Sequence, residues 1–108
     1  QYCTGPLQRL ENMEFAFVFK EPVDPVKLGL PDYFDIVKKP MDLGTIRRYL
    51  DSGRYHTLED FEGDVNLVFD NAILYNGKKT EVGEVADNMK KVFAGEWAAM
   101  KRVVQQVR

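Results

Sequence analysis

The second half of the chain carries apolar residues at helical spacing over a long stretch. Between residues 81 and 107 the stripe consists of Val82, Val85, Met89, Val92, Phe93, Trp97, Met100, Val103, Val104 and Val107. These positions recur three or four residues apart, as on one face of an α-helix. A helix over residues 81–107 would be roughly 40 Å long. No segment alternates with period two for long, so the sequence offers nothing to build a sheet and predicts an all-α fold.

Residues 58–75 form a second long helix by the same criterion. Thr57 and Asp60 have the spacing of a capping box, and Thr80 is in position to cap the helix over 81–107. The apolar face of 58–75 is so broad that we expect it to pack against more than one neighbour. Trp97 on the last helix is expected in the core rather than at a ligand site. Gly83 is either tolerated in the helix at a cost in helix propensity or required by close packing, and the sequence does not decide between the two.

Two shorter helices precede these. Asp42 is a suitable N-cap for a helix over 43–52, which Gly53 would end. Residues 6–19 place Leu7, Leu10, Met13 and Phe17 at helical spacing, with Pro6 in the first turn, where its missing N–H is tolerated. The sequence therefore predicts a four-helix bundle with helices over 6–19, 43–52, 58–75 and 81–107.

The connection between the first two helices, residues 20–41, is unusually long for a bundle. It contains Pro22, Pro25, Pro31 and Pro40, and it is too apolar to lie free in water. We expect it to pack back onto the bundle and to form a concave wall of the kind that binds small ligand groups. Phe34, Ile36 and Val37 are predicted to complete the core. For Val23, Leu28, Leu30 and Tyr33, core and pocket are equally favoured by the residues alone.

Composition narrows the function classes. With 108 residues the chain is predicted to be one domain, residues 1–108, and its ends resemble those of a domain cut from a longer protein. A net charge of −2 with scattered basic residues disfavours nucleic acid as a direct partner. No run of residues is long and apolar enough for a membrane span.

Catalytic and metal-ligating residues are also scarce. Cys3 is the only cysteine and His56 the only histidine, and no HxxxH or CxxC spacing is present. His56 is expected to be an exposed loop residue. A lone cysteine fits a reducing compartment. We therefore expect no enzymatic activity, no metal site and no cofactor.

The dipeptide Asn76–Gly77 allows three interpretations. It could be the turn of a β-hairpin, the cap of a helix, or a polar side chain kept for a ligand. The helical spacing on both sides argues against the hairpin. Gly77 could let the chain leave the helix with positive φ, which would leave the Asn76 side chain at the rim of the bundle.

Two segments, PVDPVKLGLPDYFDIVKKPMDLGTIRRYL and FDNAILYN, resemble the bromodomain family of acetyl-lysine readers, and their spelling is most similar to the bromodomain and extra-terminal subgroup. The resemblance covers essentially the whole chain. It implies a left-handed four-helix bundle with a pocket at one end, between the loop over 20–41 and the loop before the last helix. It also implies a monomeric, nuclear, non-enzymatic domain that binds acetylated histone tails or other acetylated proteins.

The resemblance further implies a role for each site residue. Asn76 matches the asparagine that donates to the acetyl carbonyl, and Tyr33 matches the tyrosine that reaches this carbonyl through a water. The residues that match the pocket lining are Val23, Leu28, Leu30, Phe19, Ala72, Tyr75 and Val82. Where the subgroup has a Trp-Pro-Phe shelf, this chain has Phe17, Val18 and Phe19. The provisional shelf of Phe17 and Val18 should therefore be shallower, with a less rigid backbone.

The alternative is a structural or protein-interaction bundle without acetyl-lysine specificity, in which Asn76 only caps a helix. It would bind acetylated and unacetylated peptides equally, or neither. Acidic residues flank the proposed mouth, among them Asp32, Glu81 and Glu84, but lysines lie close to them in the sequence. The sequence favours a solvated rim for these acidic residues over a surface that selects basic peptides.

Overall fold

The computed structural model describes residues 2–107, and every regular element in this range is helical. The helices are α1 (Thr4–Glu11), α2 (Pro25–Leu28), α3 (Tyr33–Ile36), α4 (Leu43–Asp51), α5 (Leu58–Asn76) and α6 (Glu81–Gln106), with a 3₁₀ turn at Ala16–Phe19. α2 and α3 are single turns, so α1, α4, α5 and α6 form the bundle. The predicted all-α four-helix bundle is confirmed. No helix in the described range is long and apolar enough to cross a membrane.

The four longer helices pack as a closed ring. α5 contacts α4 and α6, and α1 contacts the same two helices from the other side. The most buried side chains between them are Leu7, Leu10, Leu43, Ile46, Phe61, Val65, Phe69, Met89 and Phe93. Trp97 is also buried, with its ring stacked on Phe93 at a centroid distance of 5.2 Å. Two predictions are thereby confirmed: α5 packs against two neighbours, and Trp97 belongs to the core.

The helix starts follow the predicted caps. The Asp42 carboxylate accepts from the backbone N–H of Thr45 at 2.9 Å and from its hydroxyl at 2.6 Å. The Thr57 hydroxyl accepts from the backbone N–H of Asp60 at 3.0 Å, and Thr80 caps α6 in the same way. Only half of the capping box is present, because in the described residues the backbone N–H of Thr57 does not donate to the Asp60 carboxylate. These side chains satisfy N–H groups that a helix start leaves without a partner.

The first helix is shorter than predicted. The sequence predicts a helix over 6–19, whereas α1 ends at Glu11 and the chain then forms only the 3₁₀ turn at Ala16–Phe19. A 3₁₀ turn repeats every three residues, so its first and last side chains are buried together, while Phe17 is 69% exposed. The prediction was wrong because Phe17 lies four residues after Met13, as on one face of a helix, although the helix has ended before either residue.

The predicted loop over 20–41 is more ordered than a structureless connection. α2 begins after Asp24, whose carboxylate accepts from the Lys27 N–H at 3.2 Å, and it is followed by Gly29 with φ of 67° as its C-cap. α3 follows within the same connection. Neither turn was predicted, because the prolines that exclude a long helix are compatible with a single turn that has proline at its start.

The loop is fixed to the bundle at both ends. At its start the Lys20 carbonyl accepts from the Gly44 N–H of α4 at 3.1 Å. At its end the Lys39 carbonyl accepts from the buried side-chain amide of Asn71 on α5 at 2.9 Å. These bonds satisfy backbone carbonyls and position the loop beside the ends of α4 and α5.

Of the apolar residues in α3 and directly after it, not all those predicted for the core are buried. Val37 is buried as predicted, whereas Phe34 is 55% exposed and Ile36 is 38% exposed. Tyr33 is buried instead. Residues four apart share one face of a helical turn, so Tyr33 and Val37 face the bundle while Phe34 and Ile36 point away from it. The core prediction was wrong for these two residues.

Candidate ligand-binding site

A cavity of about 180 Å³ lies at the end of the bundle where the 3₁₀ turn, the loop over 20–41, the end of α5 and the start of α6 meet. All the predicted pocket residues line it: Phe19, Val23, Leu28, Leu30, Tyr33, Ala72, Tyr75, Asn76 and Val82. They come from four separate segments of the chain. The fold therefore brings together residues that are up to 63 positions apart, from 19 to 82.

The floor of the cavity is aromatic. Phe19 is 6% exposed, and its ring meets the buried ring of Phe69 edge-to-face, with centroids 5.4 Å apart and planes at 86°. Val68 and Ala72, one turn apart on α5, form the adjacent wall. Such a surface offers apolar contact and no hydrogen bond, so it suits a small apolar group.

Two tyrosines form the polar side of the cavity. The ring of Tyr33 packs against that of Tyr75 with centroids 5.0 Å apart, and the Tyr75 hydroxyl donates to the Asp32 carboxylate at 2.6 Å. This bond connects the loop to α5. Burial raises the pKa of the Tyr33 hydroxyl, and the hydrogen bond to Asp32 raises the pKa of Tyr75. Both hydroxyls therefore remain protonated donors at neutral pH.

Asn76 is the last residue of α5 and lies exposed at the rim of the cavity. Its side-chain amide nitrogen donates to the carbonyl of Ala72, one turn earlier, at 3.0 Å. An amide nitrogen carries two hydrogens, and within residues 2–107 the second has no acceptor. The bond to its own helix orients the amide and leaves one donor available.

The turn after Asn76 depends on two glycines. Gly77 has φ of 93°, which L side chains rarely adopt, and its N–H donates to the Ile73 carbonyl at 2.8 Å. Its own carbonyl accepts from the Thr80 hydroxyl at 2.7 Å and lies against Gly83 of α6, where a side chain would collide with it. The helices on both sides exclude the hairpin interpretation of Asn76–Gly77, as the helical spacing indicated, and Gly83 is explained by close packing.

Comparison with protein families agrees with this arrangement, since residues 3–88 match the model described as "Bromodomain". The chain belongs to the bromodomain family. Similar proteins include Bromodomain-containing factor 1 of Saccharomyces cerevisiae, 44% identical over 101 residues, and Transcription factor GTE7 of Arabidopsis thaliana, 48% identical over 93 residues. The SWR1 complex bromodomain subunit bdf1 of Schizosaccharomyces pombe is 42% identical over 102 residues.

These matches cover 91%, 86% and 92% of this bromodomain, respectively. In the same order, they cover only 15%, 16% and 18% of the relatives' own lengths. The similarity therefore describes one domain, and the activities of the longer relatives do not follow from it.

Four further residues line the bromodomain cavity that were not predicted as site residues: Glu21, Met41, Asp42 and Val68. Val68 could have been found, because it lies one turn before Ala72 on the same face of α5. Asp42 was identified only as a helix cap, yet it is 4% exposed and lines the cavity as well. The role of Asp32 as acceptor for Tyr75 has no signal in the sequence, since the two residues are 43 positions apart.

The two provisional shelf residues are placed differently. Val18 lines the cavity and is 38% exposed. Phe17 does not line it. Its ring lies on the outer surface, with its centroid 6.5 Å from the centroid of the Phe15 ring. The 3₁₀ turn therefore brings only one of the two predicted shelf side chains to the cavity.

The residues considered for catalysis lie away from this cavity. Cys3 is buried, and burial raises the pKa of its thiol, which disfavours the thiolate. His56 is exposed, as predicted. Among the described side chains, no three histidine, cysteine or carboxylate groups are clustered as metal ligands would be.

Proposed function

We propose that this bromodomain binds acetylated lysine without catalysing a reaction on it. The acetyl methyl group would contact the apolar wall formed by Phe19, Val23 and Val82. The free N–H of the Asn76 amide would donate to the acetyl carbonyl, and the Tyr33 hydroxyl would reach the same oxygen through a water. The observation that carries the proposal is the free N–H of the Asn76 amide at the rim of a cavity whose lining is mostly apolar.

The chemistry of the cavity would discriminate by charge. An unmodified lysine brings an ammonium group, which is strongly hydrated and costly to bury without acceptors. Acetylation replaces it with a neutral amide that offers a carbonyl acceptor and a methyl group. Leaving the Asn76 donor buried without a partner would cost about 1–3 kcal/mol. Selectivity would therefore come mainly from the penalty on the unmodified side chain.

A single acetylated side chain makes few contacts in a site of this size. One direct hydrogen bond, one water-mediated bond and a small apolar group must offset the loss of translational and rotational freedom. We expect affinity well short of the nanomolar range, so tight attachment would need additional domains or marks. As partners we propose acetylated histone tails or other acetylated nuclear proteins. The names of the relatives, a transcription factor and a SWR1 complex subunit, support a nuclear location for this domain.

The test is isothermal titration calorimetry with histone-tail peptides in acetylated and unacetylated forms. Asn76→Ala removes the proposed donor and should abolish binding of acetylated peptides. Its thermal stability should change little, because the side chain is exposed. The matched control is Asn66→Ala, the same change on the same helix at a position outside the cavity, which should leave affinity unchanged.

Two results would contradict the proposal. Equal binding of acetylated and unacetylated peptides would favour an interaction bundle without acetyl-lysine specificity. Unchanged binding by Asn76→Ala would show that the acetyl group is held elsewhere.

A further inference from the structure

A second depression, which we call the flanking groove, adjoins the cavity. It has a volume of about 670 Å³ and lies between the segment after α1 and the first turns of α6. Val18 and Val82 line both the cavity and the flanking groove, so the two lie side by side. A peptide with its acetyl-lysine in the cavity would therefore have neighbouring residues beside this groove.

The floor of the flanking groove is apolar and, apart from the buried Met89, at least partly accessible. It consists of Met13, Phe15, Val18, Val82, Val85 and Met89. Phe15 is 47% exposed and Val18 is 38% exposed, although both are large hydrophobic side chains. A contiguous exposed apolar surface beside a binding cavity is a common feature of interaction sites.

The rim of the flanking groove is acidic. Glu14, Glu81 and Glu84 line it, and in the part of the chain that the structure describes none of them has a cation within 4.0 Å. Glu81 and Glu84 also stabilise the first turn of α6 through the helix dipole, which gives them a structural role. That role does not apply to Glu14, which lies outside any helix.

Building on the proposed function, we propose that the flanking groove binds an unmodified lysine or arginine near the acetyl-lysine of the same peptide. These side chains combine an aliphatic stem with a cationic head, so the stem would lie on the apolar floor and the head would reach Glu14 and Glu81. A second acetyl-lysine would gain only the apolar contact. The domain would then select one acetylated lysine accompanied by a free basic residue.

Glu84 contributes less than the other two glutamates. On its other side it borders a surface depression with Lys78, Lys79 and Lys91. Lys91 is paired with Asp87 at 3.0 Å, but the ammonium groups on this side still lower the negative potential around Glu84. Glu14 and Glu81 are therefore the residues to change in a test.

The test uses short glycine-serine peptides that carry one central acetyl-lysine and one variable residue. The variable residue is moved along both sides of the acetyl-lysine and is lysine, acetyl-lysine or norleucine, which keeps the aliphatic stem without the charge. Affinity is measured by fluorescence polarisation at low and high salt. At one or more positions, lysine should bind about two- to fivefold tighter than the other two, as expected for exposed ion pairs. High salt should reduce this difference.

The protein variants locate the effect. Glu14→Gln with Glu81→Gln should abolish the preference for lysine while leaving the affinity of a peptide with only the acetyl-lysine unchanged. The control is Glu59→Gln with Glu96→Gln, which makes the same charge change at two exposed positions outside the flanking groove and should retain the preference. Glu59 lies in the first turn of α5, as Glu81 does in α6, so it also controls for the helix-dipole effect.

Failure of this inference can be told apart from failure of the proposed function. If the peptide with only an acetyl-lysine binds in an Asn76-dependent manner and the added lysine has no effect at any position, only the flanking-groove proposal is wrong. It is also wrong if a second acetyl-lysine binds tighter than lysine throughout, or if the preference survives in the Glu14 and Glu81 variant. If no acetylated peptide binds, the proposed function fails, and this inference fails with it.

Discussion

Replacing Gly83 by alanine should destabilise the domain, although the same change elsewhere in a helix is stabilising. Gly83 lies in the first turn of α6 and is buried. A methyl group on it would overlap the carbonyl oxygen of Gly77 and lie 2.8 Å from the carbonyl carbon and 3.0 Å from Lys78 Cα. Nonbonded carbon atoms normally sit about 3.5–4.0 Å apart. The obstructing atoms are backbone, so they cannot rotate away.

The magnitude follows from two opposing contributions. Alanine is favoured over glycine inside a helix by about 1 kcal/mol. Inserting a methyl group into closely packed surroundings costs about 1–3 kcal/mol. Because three backbone atoms must move here, we expect the upper part of that range and a net loss of about 1–2 kcal/mol. For a domain of this size this lowers the melting temperature by about 5–10 °C.

Gly95→Ala is the matched control. Gly95 lies in the same helix and is exposed, and a methyl group added to it would extend into open space. This change should raise stability by up to about 1 kcal/mol. Urea unfolding followed by circular dichroism would compare both variants with the parent domain. If Gly83→Ala stabilises the domain as Gly95→Ala does, the close approach of the turn to α6 is wrong.

Three further predictions concern single contacts. Asp42→Ala removes the cap of α4 and should lower the free energy of unfolding by about 1–2 kcal/mol in urea titrations. Burial and the hydrogen bond to Asp64 raise the pKa of Tyr55. The stabilisation that Tyr55 provides is complete below the pKa of an unfolded tyrosine, about 10, and declines above it. Tyr55→Phe should therefore make the loss of stability at alkaline pH shallower in pH-dependent melting curves. Tyr75→Phe removes the bond to Asp32 and should weaken acetyl-peptide binding in calorimetry without a marked change in melting temperature, whereas unchanged affinity would mean that this bond does not position the site.

The helices that were predicted well are those with local signals at their starts. Asp42, Thr57 and Thr80 each cap a helix at the predicted residue, because a cap depends only on side chains within three positions. The first helix had no such signal at its end, and its true end at Glu11 depends on how Ala16 and Phe19 pack against the bundle. A period of three and a period of 3.6 cannot be distinguished over a single turn.

The loop over 20–41 shows the same limit. Its apolar composition correctly indicated that it packs onto the bundle, but composition does not fix which side chains face inward. Tyr33 and Val37 are buried, whereas Phe34 and Ile36 are exposed, because a single helical turn sets their directions. The residues alone left Val23, Leu28, Leu30 and Tyr33 open between core and pocket, and the family resemblance assigned them to the pocket. The flanking groove was not predicted, since it requires the segment after α1 to leave the helix.

The position of Asn76 illustrates how much of a binding site lies outside the residues that would touch a ligand. Its amide is oriented by the Ala72 carbonyl, and the chain can turn directly after it because Gly77 has positive φ. That turn is held by the Thr80 hydroxyl and fits against α6 only because Gly83 has no side chain. An asparagine at this position is therefore insufficient to provide the donor. The backbone around it must also close in this way, so we expect substitutions in the turn to impair the proposed binding without removing any contact to the ligand.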